Sequence, residues 1–303
     1  MSVGLRLAAA AATAAAAAGC GLGPGSASKG TATLTVTRDY GARRLATARE
    51  SDPAASETVL RFLDRNARIT TRYGGGFVQS IDGVAGTEAS GRRFDWFFYV
   101  NGVESPVGAS QVRVHGGDRI WWDYRDWTAA MRVPAVVGSW PQPFGAADGR
   151  AAIDCKATPR ACALVRARVR SAGLRPSRGA NVPRLLVGTW GTIQRDPAAA
   201  ELDDGPGTSG VFARFARPGA NGFSLEMLDA GGDTVERGGA GAGLLAAVRE
   251  GDQPPTWLVT GGDEAGVRRA ARLLGSRRLR DRYAAAVTRD RAIPLPVGAG
   301  SGA

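Results

Sequence analysis

Histidine, cysteine, lysine and methionine are all scarce in this chain. Its 303 residues include one histidine, three cysteines and three methionines. Lysine stands only at positions 29 and 156, so the formal net charge of +11 is carried almost wholly by arginine. Each shortage removes a class of chemistry. A Ser-His-Asp triad would have to use His115, which sits beside the turn in Val-Arg-Val-His-Gly-Gly-Asp and reads as an exposed residue. A zinc site on Cys155 and Cys162 would need two further ligands. Gly207-Thr208-Ser209-Gly210-Val211 misses the G-x-S-x-G spacing of a nucleophile elbow. The run from Gly238 to Gly243 fits neither G-x-G-x-x-G nor a P-loop, and reads as a flexible connection ahead of a helix. Asp203-Asp204 lies in a Gly/Pro-rich loop with too few oxygen ligands for calcium. No residue set supports an enzyme.

Long apolar runs are also missing. Leu7 to Ala18 is uncharged and Ala-rich, but as a helix it spans roughly 18 Å against a hydrocarbon core of roughly 30 Å. With Arg6 before it, the segment reads as a signal-peptide core. Ala17-Ala18-Gly19-Cys20 fits a bacterial lipobox, with Ala17 in place of the usual Leu. Residues 1–20 are therefore expected to be a lipoprotein signal, Cys20 the acylated residue, and 21–30 a flexible tether. A plain secretory signal is the competing reading. The protein is expected on the cell membrane, lipid-anchored and extracytoplasmic. Nucleic acid is not an expected partner there, and the arginines suit anionic lipid, wall polymer or plain solvent.

In that compartment Cys155 and Cys162, seven apart, read as a short-loop disulfide, ahead of free thiols and metal.

Aromatic residues are concentrated rather than abundant. Nine of the 21 Phe, Trp and Tyr fall between Phe94 and Trp127, in the runs FDWFFYVNG and DRIWWDYRDW. In a strand, Trp96, Phe98 and Val100 point one way and Phe97 and Tyr99 the other. Likewise Ile120, Trp122 and Tyr124 oppose Trp121 and Asp123. One set is expected to form a core against the helical stripe Val59, Leu60, Phe62 and Leu63. The other must be covered by a ligand, a partner or the rest of the chain. Asn101-Gly102 is a hairpin-turn signal.

Trp-Phe-Phe-Tyr-Val-Asn-Gly-Val-Glu, then Val-Gly-Ala, then Gly-Asp-Arg-Ile-Trp-Trp-Asp-Tyr-Arg, resembles the DUF4430 family. So do the upstream Glu57 to Asn66, Tyr73, Gly76-Phe77-Val78 and Ser80-Ile81-Asp82-Gly83. That family is similar to the carboxy-terminal β domain of the vitamin B12 carriers transcobalamin and intrinsic factor. The resemblance spans about residues 31–128 and implies a β-grasp-like fold giving one wall of a ligand site. It implies a corrinoid or other large cofactor as ligand. A helical-barrel partner would supply the other wall, and a vitamin uptake transporter would receive the ligand. Trp96, Tyr99, Asn101, Trp121, Tyr124 and Trp127 are the candidate binding residues. The alternative is a non-catalytic envelope adaptor that binds protein or polysaccharide through the same face.

The expected fold is α+β and β-grasp-like over 31–130, a linker over 131–150, and an α/β sandwich over 151–293. In the first part, strands are expected at Thr31 to Thr37, Ala42 to Ala48, Ile69 to Tyr73, Phe77 to Ile81, Phe94 to Val100, Gln111 to Val114 and Arg119 to Tyr124. Ser56 is the expected helix cap. In the second, Arg184 to Thr189 and Thr256 to Thr260 read as buried strands. Ala161 to Ala172, Ala242 to Arg249, Asp263 to Leu274 and Leu279 to Val287 read as helices. The tail 294–303 is expected to be disordered.

Overall fold

The computed structural model describes residues 27–300, other than 74, 75, 147, 180, 220, 221 and 290. Cys20, the signal segment and residues 301–303 lie outside the described residues. The architecture is mixed, with strands outnumbering helices, as an α+β class requires.

The amino-terminal region opens with β1 (Thr31–Arg38), in which Ala32, Leu34 and Val36 are buried on one face and the threonines alternate on the other. The chain reverses at Asp39, Tyr40 and Gly41, all with positive φ, and returns as β2 (Arg43–Ser51), antiparallel to β1. Helix α1 (Val59–Asp64) follows, capped by Thr58, whose Oγ1 accepts from the Arg61 amide at 3.2 Å. Ser56, the expected cap, instead offers its carbonyl to Arg61 and Arg113.

Short strands β3 (Ile69–Arg72), β4 (Phe77–Ile81) and β5 (Val84–Ala85) make a small separate sheet. Strands β6 (Thr87–Ala89), β7 (Arg92–Val100), β8 (Val103–Glu104) and β9 (Arg119–Asp126) complete the main one. Its order is β2-β1-β9-β7-β6, with β8 beside β7 and with β1 and β9 parallel. Val59, Phe62 and Leu63 of α1 close one face over Leu34, Val36, Trp96, Ile120, Trp122 and Tyr124. The expected strand Gln111 to Val114 is reduced to a single bridge between Arg113 and Thr58. Val114 reaches the same core from a loop, so burial there needs no ladder.

The carboxy-terminal region carries a seven-stranded sheet. Strands β10 (Arg150–Cys155), β11 (Arg175–Ser177) and β12 (Arg184–Thr189) are parallel, with α2 (Pro159–Ser171) between the first two. Short helices α3 (Trp190–Ile193), α4 (Pro197–Ala200) and α5 (Pro206–Ser209) lead to a three-stranded meander, β13 (Ala213–Gly219), β14 (Gly222–Leu228) and β15 (Thr234–Gly238). The chain then re-enters the large sheet as β16 (Gly243–Val248) and β17 (Thr256–Gly261), passes through α6 (Glu264–Leu273), and ends in β18 (Ala284–Val287) and β19 (Ala292–Leu295). The order is β11-β10-β12-β17-β16-β18-β19. Leu185, Val187, Trp257 and Val259 face α2 and α6. Their alternates Leu186 and Leu258 face the short helices and the meander. Cys155 and Cys162 are joined as a disulfide at the start of α2.

Three expectations fail here. Ala242 to Arg249 holds β16 (Gly243–Val248), a strand buried along all six of its residues, and the glycine run before it leads into that strand. A short apolar run buried on both faces carries no period to separate strand from helix. Gly243, Gly261 and Gly266 let α6 approach this part of the sheet: a Cβ on Gly261 would lie 2.6 Å from the Gly266 carbonyl carbon. Leu279 to Val287 is not a helix either. A 3-10 turn ends at Leu279, Asp281 takes φ 57°, and β18 follows. The tail from Pro294 to Gly300 is ordered: Leu295 is 1% exposed, and the Val297 amide donates to the Leu228 carbonyl at 2.8 Å.

Within the expected linker 131–150, residues 133–146 form a packed strap. Val136 donates to Gly102, Val137 to Tyr283, and Trp140 and Phe144 pack on Trp257.

Candidate functional site

The two faces of β7 and β9 divide as their alternation predicts. Trp96, Phe98, Trp122 and Tyr124 lie on the α1 side. Phe97, Tyr99, Trp121, Asp123 and Arg125 lie on the other, and the carboxy-terminal region covers them. The surface expected to meet a ligand or partner is thus internal. Tyr99 is 0% and Trp121 2% exposed. Tyr283, from the loop before β18, sets its ring edge-on to Tyr99, Trp121 and Tyr40 at 5.6, 5.2 and 5.0 Å. Rings of this size each remove roughly 150–250 Å² from water, which accounts for the cover: a core would not form on one side and leave these wet on the other.

The six candidate residues do not form one constellation. Trp96 and Tyr124 are buried on the α1 side, bonded to the carbonyls of Val84 and Ala85. Asn101 sits in the expected Asn-Gly turn, with φ of 56° and 78° at the two residues, and bonds Asp118 and the Arg119 amide. Trp127 is half-buried under the Arg93 guanidinium, 3.9 Å above the ring. Tyr99 and Trp121 alone share the junction.

That junction contains a buried polar knot. Asp123 accepts from Thr37 Oγ1 at 2.5 Å, the Gly41 amide at 3.1 Å and Tyr283 Oη at 3.0 Å. Trp121 Nε1 donates to Thr37 at 2.7 Å, so indole, hydroxyl and carboxylate form a chain. Burial still outweighs these donors and lifts the Asp123 carboxyl from 3.8 to about 6. It also raises the phenols of Tyr40, Tyr99 and Tyr283, which stay neutral. Arg125 is fully buried, donates to the carbonyls of Ala130 and Met131, and lies 3.8 Å over Phe97. Tyr40, held at φ 57°, reaches Asp126 O at 2.6 Å and stacks edge-on with Phe212. Its neighbour Gly41 admits no side chain, because a Cβ there would strike the Asp281 carbonyl.

Beside the knot, the same sheet face becomes the floor of a cleft of about 470 Å³. The register builds it in rows: Arg49, Thr33 and Arg119 on one, Thr47, Thr35 and Trp121 on the next. Arg44 stands at the rim, and the carboxy-terminal region contributes Arg280 and Asp281. Asp281 is the one carboxylate in this lining, and Arg44 is paired with it. Arg49, Arg119 and Arg280 have no carboxylate within salt-bridge reach among the described residues. Burial lowers the Arg119 pKa from its ordinary value, nearby Arg280 lowers it further, and Asp281 pulls weakly the other way. The cleft is therefore positive and part-desolvated, with threonines on its floor.

A second groove, about 810 Å³, runs on another side of the junction and is lined by Tyr40, Phe94, Arg38, Arg92, Val235 and Val297. Its walls mix aromatic, aliphatic and charged groups. His115 is exposed, with Nδ1 3.4 Å from Asp118. Among the described residues, no group of three His, Cys, Asp or Glu side chains could hold a metal.

Sequence reasoning missed the cleft. Part of its signal was present: the alternation of TATLTVT puts Thr33 and Thr35 opposite the apolar face, and β2 repeats it with Thr47 and Arg49. Arg280 gave none, because it arrives from the far end of the chain.

The family model described as a domain of unknown function, DUF4430, matches residues 56–126, from just before α1 to the end of β9. The expected family assignment is thereby shown for that stretch, which leaves out β1 and β2. No curated protein matches the chain.

Proposed function

We propose that the chain is a non-catalytic, extracytoplasmic binding lipoprotein, anchored through lipid on Cys20, with its ligand seat at the junction of two domains. In this reading the amino-terminal domain is β-grasp-like, with α1 across a sheet whose β1 and β9 run parallel, and the carboxy-terminal domain is an α/β sandwich. One observation carries the proposal: a cleft lined from both domains, in which Arg49, Arg119 and Arg280 lack carboxylate partners. Small-ligand seats favour such junctions. The covered aromatic face means that neither a corrinoid nor an adaptor's target meets the chain there.

The test is thermal unfolding of the full chain against a panel of anionic solutes. A stabilising ligand should lose its effect in both Arg119→Gln and Arg280→Gln, which remove one contribution from each domain. A response that survives both substitutions sinks the reading. Loss of metabolic lipid label in Cys20→Ala tests the anchor.

A second reading, capture of a corrinoid or other large cofactor with a helical-barrel partner, is supported by the 810 Å³ groove with its Tyr40, Phe94 and Val297 walls. Calorimetric titration with cobinamide should then give heat that Phe94→Ala abolishes. No heat, with or without a partner protein, argues against it.

A further inference from the structure

We propose that the cleft between the Thr33–Thr35 face and Arg280 is a binding site for a phosphoryl group. The proposal rests on the junctional seat argued above and names its ligand chemistry. Arginines line the site from two parts of the chain: Arg49 and Arg119 flank Thr33 on the sheet, and Arg280 comes from the carboxy-terminal region. A planar carboxylate offers two oxygens in one plane and is matched by one guanidinium fork. A tetrahedral phosphoryl group offers three outward oxygens and suits donors that converge from different directions.

Thr33, Thr35 and Thr47 line the same sheet face, and the hydroxyls of Thr35 and Thr47 add neutral donors beside the arginines. Asp281 pairs with Arg44 and also acts on Arg119, but it is one carboxylate against four arginines in this lining, so the cleft stays positive. Arg119 is half-buried with no side-chain hydrogen bond to any described residue. A guanidinium taken from water beside a second cation is costly on its own. An anion between Arg119 and Arg280 would supply the missing counter-charge, and the cleft of about 470 Å³ has room for a phosphate with a substituent. The geometry does not distinguish a phospholipid headgroup from a soluble phosphate ester, and both occur outside the cytoplasmic membrane.

The experiment is calorimetric titration of the full chain, purified in neutral detergent, with inorganic phosphate, pyrophosphate and citrate. Saturable pyrophosphate binding is expected, weakened about tenfold by Arg119→Gln and by Arg49→Gln, as loss of one charged contact implies. Arg119→Lys should fall between, and Arg166→Gln, on the exposed side of α2, should bind as the parent does. Unchanged near-ultraviolet circular dichroism separates lost binding from lost folding. Sedimentation of the Cys20→Ala chain with phosphatidylglycerol vesicles identifies the source. Vesicle binding that pyrophosphate displaces and Arg119→Gln abolishes means a headgroup; pyrophosphate binding without it means a soluble ester. If citrate binds with the same Arg119 dependence while phosphate and pyrophosphate do not, the phosphoryl assignment is overturned and the junctional seat stands. If no anion binds, or Arg166→Gln weakens binding equally, both fall.

Discussion

Strands β7 and β9 have two faces, and different physics completes each. On the α1 side, Trp96, Phe98, Trp122 and Tyr124 meet an apolar helix, and Trp96 and Tyr124 reach nearby backbone carbonyls. On the other side, the same ladder offers Tyr99 and Trp121 together with a buried carboxylate and a buried guanidinium. The first face can be closed by a short local element, because apolar burial has no direction. The second needs particular partners at particular distances, and Tyr283, Gly41 and the carbonyls of Ala130 and Met131 provide them. Apolar packing thus holds the amino-terminal region together, and the polar knot sets how the carboxy-terminal region docks on it.

The comparison can be broken hardest at Arg125. Arg125→Ala removes a buried cation 3.9 Å from Glu104 and strips donors from two carbonyls. Chemical denaturation should show a loss of about 4 kcal/mol, and limited proteolysis should open the strap 133–146 first. A smaller loss with no strap cleavage would mean that the docking does not depend on the knot. On the other face, Phe62→Ala empties a ring site under the sheet and should cost about 3 kcal/mol. Here unfolding should remain a single transition, with the strap protected to the same degree as in the parent. If both substitutions give the same protease pattern, the two faces are not distinct in kind.

The next effect is a pH dependence. Burial lifts the Asp123 carboxyl to about 6 from 3.8. Between those values the folded protein holds a proton that the unfolded chain has released. Stability from this group therefore falls as pH rises from about 4 to about 6, and is level above that. The window corresponds to roughly 2 to 3 kcal/mol. Asp123→Asn should remove this slope, so the difference between parent and variant, followed by urea unfolding at several pH values, isolates it. Parallel curves across that window would show that the carboxyl is not held as described. The smallest effect belongs outside both faces: Trp127→Ala loses a half-exposed stack on Arg93 and should cost under about 1 kcal/mol.

Much of this was legible in the chain. The Asn101-Gly102 turn, the buried strands Arg184–Thr189 and Thr256–Gly261, the helix beginning at Asp263 and the short disulfide loop all follow from local chemistry. Two of the misreadings share one cause. Gly243–Val248 and Ala284–Val287 are alanine- and leucine-rich segments whose propensity favours helix, yet they lie beside one another inside a sheet. Position among neighbours overrides a weak local preference. The site was legible only in part: the threonine and arginine rows of β1 and β2 follow from period two, whereas their meeting with Arg280 does not.

By itself, the sequence determined that two aromatic strands would have two demanding faces, and which residues would share each. That is a local property, set by the alternation of side chains along an extended backbone. Tertiary structure alone decided what covers the second face, since the hydrogen bond that fastens it joins Asp123 to Tyr283, 160 positions away. It also decided that the polar rows beside that face would become a cleft. Strand period places residues on a side, while enclosure depends on contacts between distant segments that no short-range pattern records.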